Sequence, residues 1–230
     1  GATWTMGAIF GESTGLPLKI SIEQNSMDSQ KHFFPSVTAL GDILEEEGYN
    51  QKFLLGSVGY FGGRELFMED HGNVAVEDFS YWRKGKFPRN YWVNWGFEDE
   101  KLFLYAKEEL ENLGKAEQPF NLTLLTVDTH FPDGYVCRLC ERKHPKNQYA
   151  DVYQCTSRQV SDFVHWIQQQ PFYENTTIVI SGDHPTMDHD FCNDVEKSYQ
   201  RKVYTAYLNA VPNVKEQKYR EYSTFDAFPT

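Results

Sequence analysis

Two kinds of apolar run alternate along the chain. Short runs of β-branched or leucine-rich residues read as strands; longer stretches with apolar residues three and four apart read as helices. Met6, Ile9 and Phe10 have helical spacing, so a helix is expected to begin near Thr5 and stop at Gly15. Ser36 is placed to cap a second helix over 36–47, with Val37, Leu40, Ile43 and Leu44 on one face and Gly48 as its stop. A strand follows at 52–56, then a glycine-rich turn through Gly59, Gly62 and Gly63 into a helix opened by Arg64. Residues 74–98 carry Phe79, Tyr81, Trp82, Phe87, Tyr91, Trp92, Trp95 and Phe97, which suggests a long loop folded on itself, with one or two rings over a cleft. Helices are expected at 99–113 and 149–170. Strands are expected at 120–128, 176–181 and 202–208, the first two buried on both faces. Ser223 starts a last helical turn.

Strands alternating with helices imply a mostly parallel central sheet covered on both faces, a three-layer αβα sandwich. Residues 1–230 fit one such domain. No strand feeds the first helix, and the last one starts close to Thr230. The expectation is a partial domain, truncated at both ends.

Charge narrows the partners. A net charge of −11 argues against nucleic acid, which needs clustered Lys and Arg, and against unaided docking on an anionic membrane. No apolar run is long enough to span a bilayer. The four cysteines are Cys137, Cys140, Cys155 and Cys192. An even count points to two disulfides and an oxidising compartment, with the 137–140 stretch joined to Cys155 and to Cys192. The rival is a zinc knot of Cys137 and Cys140 with Cys155 or His144, although the spacing matches no common zinc-finger pattern.

The candidate chemistry lies at element ends. The strand over 176–181 runs out through Gly182 into Asp183 and His184, a hard oxygen beside an imidazole nitrogen, suited to a divalent cation. The same pair also fits a plain turn with the imidazole in water. The strand over 120–128 delivers His130, which is either an active-site group or a hydrogen-bonded structural one. Thr5 sits at a helix start, where it either faces an anion held by free N–H groups or shares with Thr3 the role of an ordinary cap. Arg64, beside two glycines, offers a forked clamp for an oxyanion; a surface ion pair with Glu65 or Glu69 is the alternative.

In order, Gly-Ala-Thr-Trp-Thr (1–5), Gly-Leu-Pro-Leu (15–18), Phe-Gly-Gly-Arg-Glu (61–65), Tyr-Trp-Val-Asn-Trp-Gly-Phe-Glu-Asp (91–99), Thr-Val-Asp-Thr-His-Phe-Pro (126–132) and Val-Ile-Ser-Gly-Asp-His (179–184) span nearly the whole chain. Together they resemble the alkaline phosphatase and sulfatase superfamily, in its phosphoglycerol transferase and lipoteichoic acid synthase branch. The resemblance implies that Thr5 is both nucleophile and metal ligand, that Asp183 and His184 are metal ligands, and that Arg64 and His130 hold substrate phosphate. It implies a divalent metal, foremost Mn²⁺, with Zn²⁺ or Mg²⁺ as alternatives. It also implies transfer of phosphoglycerol from an anionic lipid to a glycan or glycolipid hydroxyl through a phospho-threonine. The setting would be the outer face of the cell membrane, reached through segments outside this chain.

One departure qualifies this. The family's further metal ligand, a Glu upstream of the threonine, has no counterpart among these residues, and Glu12 lies downstream of Thr5. An inactive domain that only binds anionic head groups is therefore a second expectation, and a sulfatase or phosphodiesterase hydrolase a third, the sulfatase the weaker of these. A true sulfatase needs a Cys/Ser-x-Pro-x-Arg motif, and none of the four cysteines has that context.

Overall fold

The computed structural model describes residues 2–20, 27, 30–210 and 221–229, so Gly1 and Thr230 lie outside the described residues. Its centre is a parallel three-stranded sheet. Strand β1 (Asn50–Leu55) runs between β2 (Ala75–Glu77) and β3 (Phe120–Leu125), pairing Lys52 with Ala75 and with Leu122. Pleating turns successive side chains to opposite faces. Phe53 and Leu55 enter a core with Met6, Phe10, Phe33 and Phe67; Leu54 enters another with Phe79, Trp82, Phe97, Leu102 and Phe163. The central sheet thus has an apolar layer on each side, as the alternation of strands and helices led one to expect.

The first layer holds α1 (Thr5–Thr14), α2 (Leu40–Glu46) and α3 (Arg64–Asp70). Gly15 ends α1 at φ 70°, its N–H returning to the Gly11 carbonyl. Helix α2 starts four residues later than expected: the Asp42 carboxylate, not Ser36, takes the first free N–H, that of Ala39, at 2.7 Å. The second layer holds α4 (Phe79–Lys86), α5 (Asp99–Leu113) and α6 (Gln148–Gln168). Val152, Cys155, Gln159, Phe163 and Ile167 form the buried stripe of α6 at spacings of three and four. The aromatic stretch 74–98 is not one long loop. It contains β2 and α4, because Asp78 caps α4 by accepting the Tyr81 N–H at 2.9 Å.

Strand β4 (Ile178–Ser181) pairs antiparallel with β5 (Thr205–Leu208) in a separate two-stranded sheet. Neither β3 nor β4 is buried on both faces as expected: β3 is half-buried throughout, and Val179 and Ser181 of β4 are exposed. Ser223 does cap a turn, the short 3₁₀ helix Thr224–Asp226. Its hydroxyl and N–H both donate to Asp226 at 2.7 Å. No helix among the described residues is long and apolar enough to cross a membrane.

Candidate active site

Glycine makes the first close approach. Gly62 and Gly63, at φ 69° and 77°, turn the chain beneath α1, and a Cβ on Gly62 would lie 3.1 Å from the Trp4 ring and 3.5 Å from Met6. The start of α1, with Thr5 as its first residue, thus rests on the turn that launches Arg64. Neither Thr3 nor Thr5 acts as a cap. The N-cap position is Trp4, with no side-chain hydrogen bond, so the N–H groups of the first turn keep their capacity to meet an anion.

Arg64 is 7% exposed and forms no ion pair among the described residues, which removes the surface-pair alternative. One terminal nitrogen donates to the Val58 carbonyl at 2.6 Å, while its buried Nε has no partner. Burial lowers its pKa to about 10, with Asp78 acting in the opposite direction. A guanidinium so placed stays charged at neutral pH and keeps an unused donor.

His184 Nδ1 donates to the Pro185 carbonyl at 3.0 Å, since a carbonyl can only accept, so Nδ1 carries the proton. That leaves the Nε2 lone pair 3.4 Å from Asp183 Oδ2. Ligands held at roughly 2.1 Å around a tetrahedral ion stand about 3.4 Å apart, so the two atoms are spaced as ligands of one cation. A ring N–H committed to a backbone carbonyl is also the usual support of a metal-binding imidazole. The donor pair therefore fits a divalent metal.

His130 likewise commits Nδ1 to a carbonyl, that of Phe131, at 2.6 Å. Burial lowers its pKa; His184 and Arg64 push it down further and Asp183 pulls it up. Those influences place Arg64, His130, Asp183 and His184 in one electrostatic neighbourhood. Thr5 is the first residue of α1. Ala2 and Thr3 line the same open groove as Phe131 and Asp183. Farther along α1, Glu12 accepts the Ser181 hydroxyl at 2.6 Å, fastening the helix to the end of β4. Burial raises the Glu12 pKa, and nearby Asp183 raises it too.

Other groups that hold the site were missed in the sequence. Asp99, fully buried at the start of α5, accepts the Val127 and Asp128 N–H groups at 2.7 and 3.0 Å and fixes the exit of β3. The Tyr149 hydroxyl meets both the Thr129 carbonyl and Thr186 Oγ1. Asp188 accepts the Asp133 N–H at 3.0 Å. The loop bearing His130 is thereby tied to the loop bearing His184. Asp99 closes the 91–99 segment quoted above, whereas Tyr149 and Asp188 lie in none of the quoted segments and only spatial proximity reveals them. The Trp95 ring centre is 4.7 Å from that of His130.

The cysteines depart from the expected pairing. All four are free. Cys192 stands apart, its sulfur accepting an Arg201 N–H at 3.1 Å, while Cys137, Cys140 and Cys155 gather elsewhere. His144 is not in that group.

Comparison with known proteins identifies the family. The sulfatase family model matches residues 14–230. Phosphoglycerol transferase I of Citrobacter koseri is 32% identical over 219 residues, covering 89% of this chain. That of Escherichia fergusonii is 32% identical over 209 residues. The chain spans 27% of the length of each of these relatives. Among solved structures, the lipoteichoic acid synthase LtaP from Listeria monocytogenes aligns with TM-score 0.66 at 17% identity, over 80% of this chain and 45% of that one. An alkaline phosphatase superfamily protein from Vibrio parahaemolyticus aligns with TM-score 0.57 at 22% identity, over 79% and 43%. The chain belongs to the sulfatase family, and over most of its length it is similar to phosphoglycerol transferases I.

Proposed function

We propose that this chain carries most of the catalytic centre of a phosphotransferase that moves a phosphoglycerol group from an anionic lipid to a glycan or glycolipid hydroxyl. The supporting observation is the shared neighbourhood of Arg64, His130, Asp183 and His184 beside the first turn of α1. Thr5 is the nucleophile in this reading. Its oxygen bonds to phosphorus as the P–O bond to the lipid alcohol breaks, and its proton leaves with that alcohol or to solvent. The acceptor hydroxyl then attacks the phospho-threonine, reforming the Thr5 hydroxyl. Arg64 pairs with the equatorial phosphate oxygens through its unused N–H, and the free N–H groups of α1 offset the same charge. His130, kept neutral by burial with its proton on Nδ1, offers Nε2 as an acceptor to a hydroxyl of the glycerol group, and Trp95 walls that side. Asp183, His184 and Thr5 would hold the divalent metal, Mn²⁺ in preference to Zn²⁺ or Mg²⁺, which when bound lowers the pKa of the threonine hydroxyl. The setting is the outer face of the cell envelope, where such lipids occur; the membrane is reached through other segments of the protein.

A second reading rests on one observation. Among the described residues, the cysteine trio is the sole grouping of three or more His, Cys, Asp or Glu donors. Asp183 and His184 thus supply only two such donors. A domain that binds head groups without turning them over would look the same. Thr5→Ala in the full-length protein separates the readings. Transfer from a labelled glycerophospholipid is expected to fall below detection, with glycerol phosphate still bound. Undiminished transfer would refute the nucleophile assignment. Calorimetry of this chain with Mn²⁺ tests the ligand pair; tight binding, lost in Asp183→Asn, would argue against the binding-only reading.

A further inference from the structure

Residues 131–147 contain neither helix nor strand, and 141–147 are all exposed. An irregular stretch of this length needs something to hold it. Yet Cys137 within it is buried, beside Cys155 on α6, which is 1% exposed. Cys140 joins them because the turn 137–140 closes through the Cys140 N–H and the Cys137 carbonyl at 3.1 Å. That turn swings both of its sulfurs to one side, as two-residue spacing does in thiolate chelates.

The sulfurs are 3.7 Å apart for Cys137 and Cys140, and 3.8 Å for Cys137 and Cys155. All three lie within 4.8 Å of one another. A disulfide brings two sulfurs to about 2.05 Å and leaves a third thiol over. A tetrahedral zinc ion with Zn–S near 2.3 Å holds its sulfurs about 3.8 Å apart.

A second, independent feature points the same way. Gln159, one turn beyond Cys155 and 9% exposed, donates from Nε2 to the sulfurs of Cys137 and Cys155 at 3.7 and 3.6 Å. A donor aimed at buried sulfurs suits thiolates far better than neutral thiols, which are weak acceptors. The Gln159 Oε1 is buried without a partner and can take a hydrogen from a metal-bound water.

We propose that Cys137, Cys140 and Cys155 bind a zinc ion as thiolates, with water in the fourth position, at a site separate from the Asp183–His184 pair. Zinc there fastens the 131–147 excursion to α6. The same excursion begins at the loop carrying His130, so the metal also steadies one wall of the groove. Thiolate donors select zinc or another soft ion over Mg²⁺ and Mn²⁺, so the two sites differ in ion preference.

Cobalt titration of the reduced chain tests this, because thiolate-to-cobalt charge transfer gives a near-ultraviolet band that oxygen and nitrogen ligands do not. The expected result is a band that saturates at one cobalt per chain and disappears on adding zinc. It should be lost in Cys155→Ser and unchanged in Cys192→Ser. Cys140→Ser, at a half-buried position with less risk to folding, is expected to lower cobalt affinity at least tenfold. The absence of a band, its survival in Cys155→Ser, unchanged cobalt affinity in Cys140→Ser, or its loss in Cys192→Ser would overturn the assignment. So would mass spectrometry showing a disulfide within the trio in the native protein.

Discussion

Arg64 and Asp128 are both buried with polar atoms unpaired, and they meet that condition in opposite ways. Arg64 stays charged, with its Nε left without a partner. Asp128 is 1% exposed, and neither carboxylate oxygen has a partner. Burial raises its pKa, and the neighbouring Asp99 carboxylate raises it further. Asp99 accepts two backbone N–H groups, which favour its ionised form, so the proton the pair retains resides on Asp128. The folded state then binds more protons than the unfolded chain. Stability is highest below the ordinary carboxylate range near pH 4, and falls as pH rises from there toward the raised value. Asp128→Asn cannot ionise. Relative to the natural chain it is expected to gain stability as pH rises through that window, by at most about 1.4 kcal/mol per pH unit. Urea unfolding at a series of pH values checks this; parallel stability curves for the two proteins would contradict it.

Among elements, the helices were the more legible. Helix α5 matched the expected 99–113 and α6 came within two residues at each end, because their apolar stripes repeat over several turns. The strands over 120–128 and 176–181 were correctly placed, but their double burial was not. An apolar run shows that a strand can be covered, not that a neighbour covers it. The start of α2 was missed because a carboxylate inside the helix replaced the serine ahead of it. The glycine turn before α3 was legible as a close approach, and its cost is now definable. Gly63 has φ 77°, and an added Cβ would sit 2.6 Å from Met27 Cβ and 2.9 Å from the buried Phe33 ring. Gly63→Ala is expected to destabilise the fold by about 2–4 kcal/mol, from left-handed backbone strain plus overpacking. A chemical denaturation midpoint unchanged from the natural chain would show that the turn yields more readily than its packing implies.

For the whole molecule, the candidate site was legible as a set of types and spacings. Thr5, Arg64, His130, Asp183 and His184 are separated by up to 179 positions, yet topology delivers four of them to one neighbourhood and the helix of the fifth to its edge. The clamps Tyr149, Thr186 and Asp188 stayed hidden, since a hydrogen bond between two loops leaves no periodic trace in sequence. Cysteine usage was read as disulfides because counting favours pairs, whereas the fold gathers a trio and leaves Cys192 aside.

The imidazole–carboxylate couple after β4 and the imidazole after β3 hang from two sheets that share no backbone ladder among the described residues. Whatever spans them is a rivet. Glycerol phosphate together with a divalent cation should therefore raise the melting temperature by more than the two separate increments combined, because each component alone grips mainly one plate of the joint. Scanning calorimetry with neither, either and both will show that synergy. Purely additive shifts would mean the plates are already locked together.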